Sequence, residues 1–112
     1  MSLDLVEIVT TVSSEEEAVS LSRRLVEEAL VACATFFAVR SIYRWEGEIT
    51  DEAEVQLQLK TLAAKAELVE RRLAELHPYD VPAILRIDVS RTTEAYAAWV
   101  ADSVSGGGPE SR

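Results

Sequence analysis

Few residues in this chain carry reactive chemistry, and their spacing decides how far each can be taken. His77 is the single histidine and stands before Pro78 at the end of a helical stretch. An imidazole there can ligate a metal ion or close a helix C-terminus against the dipole. No H-x-x-H, H-E-x-x-H or C-x-x-C partner accompanies it, so a metal on His77 needs ligands from elsewhere, including another subunit. Cys33, the single cysteine, lies in an apolar stretch and reads as a small buried hydrophobe, not as a nucleophile paired with His77. Asp51, Glu52 and Glu54 form one acidic cluster and Glu15, Glu16 and Glu17 another. They read as turn and cap acids, since a catalytic carboxylate pair is defined by geometry in space. Gly106, Gly107 and Gly108 come after the last helix, so they cradle no phosphate. No catalytic constellation stands out, and the expectation is a protein that is not an enzyme.

The elements that must position these residues follow from patterning. Leu3 to Val12 is β-branched and apolar and predicts a buried strand. Ser13 or Ser14 can cap a helix, with Glu16 or Glu17 closing a capping box. That helix is expected to reach about Leu30, with Ala18, Leu21, Leu25 and Ala29 on its apolar stripe. Val31 to Val39 predicts a second strand that continues, through a kink or bulge, from Ser41 to Trp45. Glu46 to Asp51 is the expected bend, and Glu52 to Thr61 the third strand. Strict alternation there puts Val55, Leu57 and Leu59 on one face and Glu54, Gln56, Gln58 and Lys60 on the other. Leu62 to Leu76 predicts a second helix, ended by the two prolines of His77 to Pro82. Ala83 to Ser90 is a fourth strand whose Arg86 and Asp88 are expected on the polar face. A short last helix follows Thr92 or Thr93, and residues 105–112 read as a flexible tail after a single domain over 1–104.

The order β-α-β-β-α-β plus a C-terminal helix is the split βαβ pattern of an α+β, ferredoxin-like fold. Right-handed crossovers put both long helices on one sheet face. The other face is either wetted or a contact surface. Tyr43 and Trp45, close to the hairpin tip, favour contact, because exposed aromatics mark interfaces.

The bulk numbers agree with a single globular unit. The chain has 112 residues, 48% hydrophobic and 28% charged. A net charge of −9 repels phosphate backbones and argues against a nucleic-acid partner. Ala29 to Val39, the longest apolar run, has 11 residues, too few to span a bilayer. One cysteine and no opening signal segment point to a soluble cytoplasmic protein.

Together, Ala32-Cys33-Ala34-Thr35, Ser41-Ile42-Tyr43-Arg44-Trp45-Glu46-Gly47-Glu48-Ile49, Glu54-Val55, Leu59-Lys60-Thr61, His77-Pro78-Tyr79-Asp80-Val81-Pro82 and Tyr96-Ala97-Ala98-Trp99 resemble the CutA family of divalent-cation tolerance proteins. The resemblance covers roughly residues 5 to 104. It implies a homotrimer built much like the PII signalling proteins, with Tyr43, Trp45 and Glu46 as interface residues. It also implies a link to copper and other divalent ions, no required cofactor, and weak metal binding through His77. The family's first-strand cysteine corresponds to Thr10 here, which removes a soft ligand. Where the family carries a Pro-Gly kink this chain has Phe36-Phe37-Ala38-Val39-Arg40, a departure for which either a differently shaped bend or a lost bulge is expected, with Phe36 or Phe37 against a subunit neighbour. A PII-like alternative has a small anion or metabolite held between subunits by Arg44, Lys60 and Tyr79, and a third reading is a trimeric scaffold for another protein.

Overall fold

The computed structural model describes residues 4–105. In chain order the elements are β1 (Leu5–Val12), α1 (Glu15–Glu27), β2 (Cys33–Trp45), β3 (Glu48–Leu62), α2 (Ala66–Leu76), β4 (Leu85–Asp88) and α3 (Glu94–Ser103). The sheet order is β2-β3-β1-β4, and every neighbouring pair is antiparallel. The α+β, ferredoxin-like expectation therefore holds. Residues 106–112 of the expected tail lie outside the described residues. Among the described residues no helix is long and apolar enough to cross a membrane.

Local chemistry sets the helix ends. Ser14 caps α1 by accepting from the Glu17 amide at 3.1 Å, and Glu17 reaches back to the Ser13 amide at 3.0 Å. The helix stops three residues short of Leu30 because Ala29 takes a left-handed φ of 57°. The Leu30 and Ala29 amides then donate to the Leu25 and Val26 carbonyls, the two bonds of a Schellman ending. Ala63–Lys65 forms a 3-10 turn, so α2 starts later than helical spacing suggests. Leu62 stays in β3 because it pairs with Leu5. Thr93 is the cap of α3, accepting from the Tyr96 amide at 3.2 Å.

The core lies between the sheet and the two long helices. Ile8, Leu57 and Leu59 meet Leu21 and Leu25 of α1 and Val69 and Leu73 of α2. Burying side chains of this size stabilises by roughly 1.5–3 kcal/mol each. Helix α3 packs on the opposite sheet face, where Val100 and Ala97 cover Leu5. It covers only that end. Beyond it the face carries Glu7, Gln58, Lys60, Phe37, Leu85 and Ile87, with the last three apolar and exposed.

Three expectations are corrected. The β2–β3 register runs unbroken from Cys33↔Lys60 to Trp45↔Glu48, so β2 has neither kink nor bulge. Phe36 consequently joins the helix-side core, and only Phe37 faces outward. The bend is Glu46-Gly47 alone, with φ of 48° and 81°, the left-handed pair of a two-residue hairpin turn. In β4, Ile8↔Arg86 sets Arg86 and Asp88 on the helix side of the sheet edge and leaves Leu85 and Ile87 on the open face. The pleat dictates this, since directly paired residues share a face.

β1 ends opposite Val55, so among the described residues 39–45 and 48–54 pair only with each other. They form an arm that stretches the molecule to 48 × 26 × 22 Å. Ile42 and Ile49 are exposed on one side of the arm, and Tyr43 and Trp45 on the other.

Candidate functional site

The segment after α2 builds the site. Pro78 forces His77 out of helical geometry, and its backbone turns extended at φ −69°, ψ 135°. The imidazole then swings onto the end of β1 and is buried there. Nε2 lies 2.9 Å from the Thr10 hydroxyl oxygen and 3.0 Å from the Thr11 carbonyl oxygen. Nδ1 accepts from the Tyr79 amide at 3.1 Å. An amide only donates and a carbonyl only accepts, so these partners assign the neutral tautomer protonated on Nε2. Burial holds the His77 pKa below its ordinary value, against opposing pulls from the Thr11 carbonyl and from Glu17 and Glu54.

Tyr79 rests on this arrangement. Its ring tilts at 56° against the imidazole with centroids 4.9 Å apart. Its hydroxyl donates to Glu54 Oε2 at 2.5 Å. Glu54 sits where β3 leaves the cover of β1, and it is buried, unlike its neighbours Glu52 and Asp51. Burial first, and then the Glu54 hydrogen bond, pushes the Tyr79 phenol well above its usual range. On the arm, Tyr43 donates to Glu52, and that bond leads the causes that push its pKa up to about 12.

Between the arm and residues 79–83 opens a cleft of about 620 Å³. Tyr43, Trp45 and Tyr79 supply aromatic walls, Val81 and Ala83 an apolar side, and Glu52, Glu54 and Asp80 carboxylates. Among the described residues of the lining, Arg44 is the one basic side chain.

The residues singled out from sequence thus divide. Tyr43, Arg44, Trp45 and Tyr79 share one cleft, with His77 directly behind its Tyr79 wall. Lys60 does not join them. It lies on the open sheet face, donating to Thr35 at 2.8 Å and facing Glu7 at 3.7 Å, six positions along β3 from Glu54 and so roughly 20 Å away. Cys33 is paired opposite Lys60, remote from the Thr10–Thr11 end of β1 where His77 docks. Glu46 occupies the turn itself. Sequence reasoning missed the Thr10–Thr11 clamp on His77 and the burial of Glu54. Both depend on where β1 ends against β3, a long-range register with no local signature. Among the described residues no group of three or more His, Cys, Asp or Glu is placed to hold a metal ion.

Comparison with known proteins gives a consistent picture. A family profile described as CutA1 divalent ion tolerance protein matches residues 6–103. The divalent-cation tolerance protein CutA of Pyrococcus horikoshii is 43% identical over 93 residues, covering 83% of this chain and 91% of that protein. A crystal structure of CutA1 from Ehrlichia chaffeensis superposes with a TM-score of 0.89 at 32% identity, over 94% of this chain and 99% of that one. A crystal structure of CutA from Xylella fastidiosa superposes with a TM-score of 0.88 at 35% identity, over 91% of this chain and 99% of that one. With its profile match, its sequence relatives and its superposed structures all in agreement, the chain belongs to the CutA1 divalent ion tolerance family.

Proposed function

We propose that the protein is a non-enzymatic homotrimer that serves tolerance of divalent metal ions, copper among them. The observation that carries the trimer is the apolar surface left uncovered in one chain. Ile42, Tyr43, Trp45 and Ile49 on the arm and Phe37, Leu85 and Ile87 on the open face are all exposed. Apolar surface distributed in this way is characteristic of subunit contacts, and among the described residues β2 and β4 form the two edges of the sheet, where another chain could pair. The tolerance role is supported by the family and by the names of the relatives. A non-enzymatic role accords with a site whose imidazole and phenols are engaged in internal hydrogen bonds.

Light scattering at micromolar concentration should return three times the chain mass, and Trp45→Ala combined with Ile87→Asp should lower it. A wild-type monomer would defeat the trimer. For the tolerance role, the gene should restore growth on elevated copper to a bacterial strain lacking its own homologue, and no restoration at matched expression would count against it. The cytoplasm is proposed as the compartment on the strength of the single free cysteine. The Archaeoglobus fulgidus relative is described as periplasmic, and fractionation decides between the two.

The alternative of a small anion in the cleft is favoured by Arg44 and Tyr79 both lining it. It is opposed by the three carboxylates beside them and by the distance to Lys60.

A further inference from the structure

The family's role with divalent ions raises the question of whether His77 can serve one. A metal takes a lone pair, and the neutral imidazole has one, on Nδ1. Here that lone pair accepts the Tyr79 amide. Coordination through Nε2 would require removing its proton and would leave the buried Thr11 carbonyl without this donor. Thr10, the side chain nearest to Nε2, is fully buried and offers a hydroxyl where a soft-metal site needs thiolate. No second histidine exists in the chain, and among the described residues no further ligand group is assembled. The residues present therefore do not fit a divalent ion at this position.

We infer that His77 is a lock: it pins residues 77–79 to the end of β1, and so holds Tyr79 on Glu54 as a wall of the hairpin cleft. One ring reads both sides of the junction. Nε2–H fastens it to Thr10 and Thr11, and Nδ1 fastens the Tyr79 backbone to the ring. Tyr79 then stacks obliquely on the imidazole and reaches Glu54 with its hydroxyl. His77 is thus a positioning residue for the cleft, and whatever divalent-ion chemistry the protein performs runs through other groups.

The test is nitrogen-15 NMR of the imidazole in the full-length protein, with and without zinc chloride in several-fold excess. The expected spectrum is the tautomer protonated on Nε2, unmoved by zinc. His77→Ala should leave zinc affinity within about twofold while the Tyr79 amide loses its protection from hydrogen exchange. His77→Asn restores an acceptor close to the Nδ1 position without an imidazole, and should recover part of that protection. A residue that merely fills space predicts no difference between Asn and Ala. Saturable zinc shifts of the His77 nitrogens, or a His77→Asn protein with no more Tyr79 protection than His77→Ala, overturns the lock. If His77→Ala fails to fold, the wild-type zinc titration and the Asn variant decide it. Neither readout depends on the trimer or on copper tolerance, so failure here is distinguishable from failure of the proposed function.

Discussion

Removing the Tyr79 hydroxyl should cost about what one hydrogen bond to a buried acid contributes. In Tyr79→Phe the ring still packs against His77, but Glu54 loses the donor at 2.5 Å. Hydrogen bonds to charged groups contribute about 1.5–3 kcal/mol. Glu54 is only 6% exposed, which argues for the upper part of that range. Tyr79 is half-buried at the edge of an open cleft, so water can replace part of the bond. The balance is about 2 kcal/mol for Tyr79→Phe. Glu54→Gln keeps an acceptor but loses the charge, and the double mutant completes a cycle whose coupling should be about 1.5 kcal/mol. The measurement is guanidinium unfolding of all four proteins at one fixed protein concentration, because an oligomer's apparent stability depends on concentration. A pH series adds a signature. The Tyr79 pKa in the folded chain is raised above its ordinary 10.0, by burial first and the Glu54 bond second. For a raised pKa the folded state retains the proton that the unfolded state releases. The contribution is therefore complete below pH 10 and is lost as pH rises beyond it. Wild type should lose stability in alkali faster than Tyr79→Phe. A coupling under about 0.5 kcal/mol, within the additivity expected of independent sites, would refute the reasoning.

Three further outcomes are expected. Ala29 and Glu46 both hold left-handed φ angles, which cost a non-glycine residue on the order of 1 kcal/mol; Ala29→Gly and Glu46→Asn should each raise stability by up to about that much, and unchanged unfolding midpoints would count against the strain. The His77 pKa is lowered in the fold, so the unfolded chain takes up the proton first; stability should be complete above pH 6.5 and fall as pH drops below it, and a profile with no drop there contradicts the assigned neutral ring. Leu73 is fully buried between α2 and the sheet, and Leu73→Ala should cost about 2–5 kcal/mol in the same unfolding assay, with a value under about 1 kcal/mol indicating a core that collapses on the gap.

Much of the fold was legible because its signals are local. The alternation of Val55, Leu57 and Leu59 marks β3, and Ser14 and Thr93 announce helix starts through cap chemistry that needs only their own next turn. What escaped was set across the chain. The straightness of β2 follows from its register with β3 and from Phe36 finding the core, which the pair Phe36-Phe37 alone does not announce. Helix α1 stops short of its helical pattern because Ala29, a good helix former, stands where the following strand requires a sharp exit. At the site, His77, Tyr79, Tyr43 and Trp45 stood out by type. Their grouping in space depends on β1 ending opposite Val55, and that pairing also explains why Lys60 is far from them.

The arm over residues 39–45 and 48–54 has one more consequence. Among the described residues no third strand lies beside it, and a two-stranded ribbon of that kind is marginal in water. Its backbone hydrogen bonds should be the first in the sheet to open. A newly made chain therefore presents an open ribbon edge, bearing Ile42, Tyr43 and Trp45, until a second chain arrives. Productive assembly and disordered aggregation then compete for the same edge. The rate at which chains meet in the right orientation, and not only the stability of each chain, sets the yield of native protein.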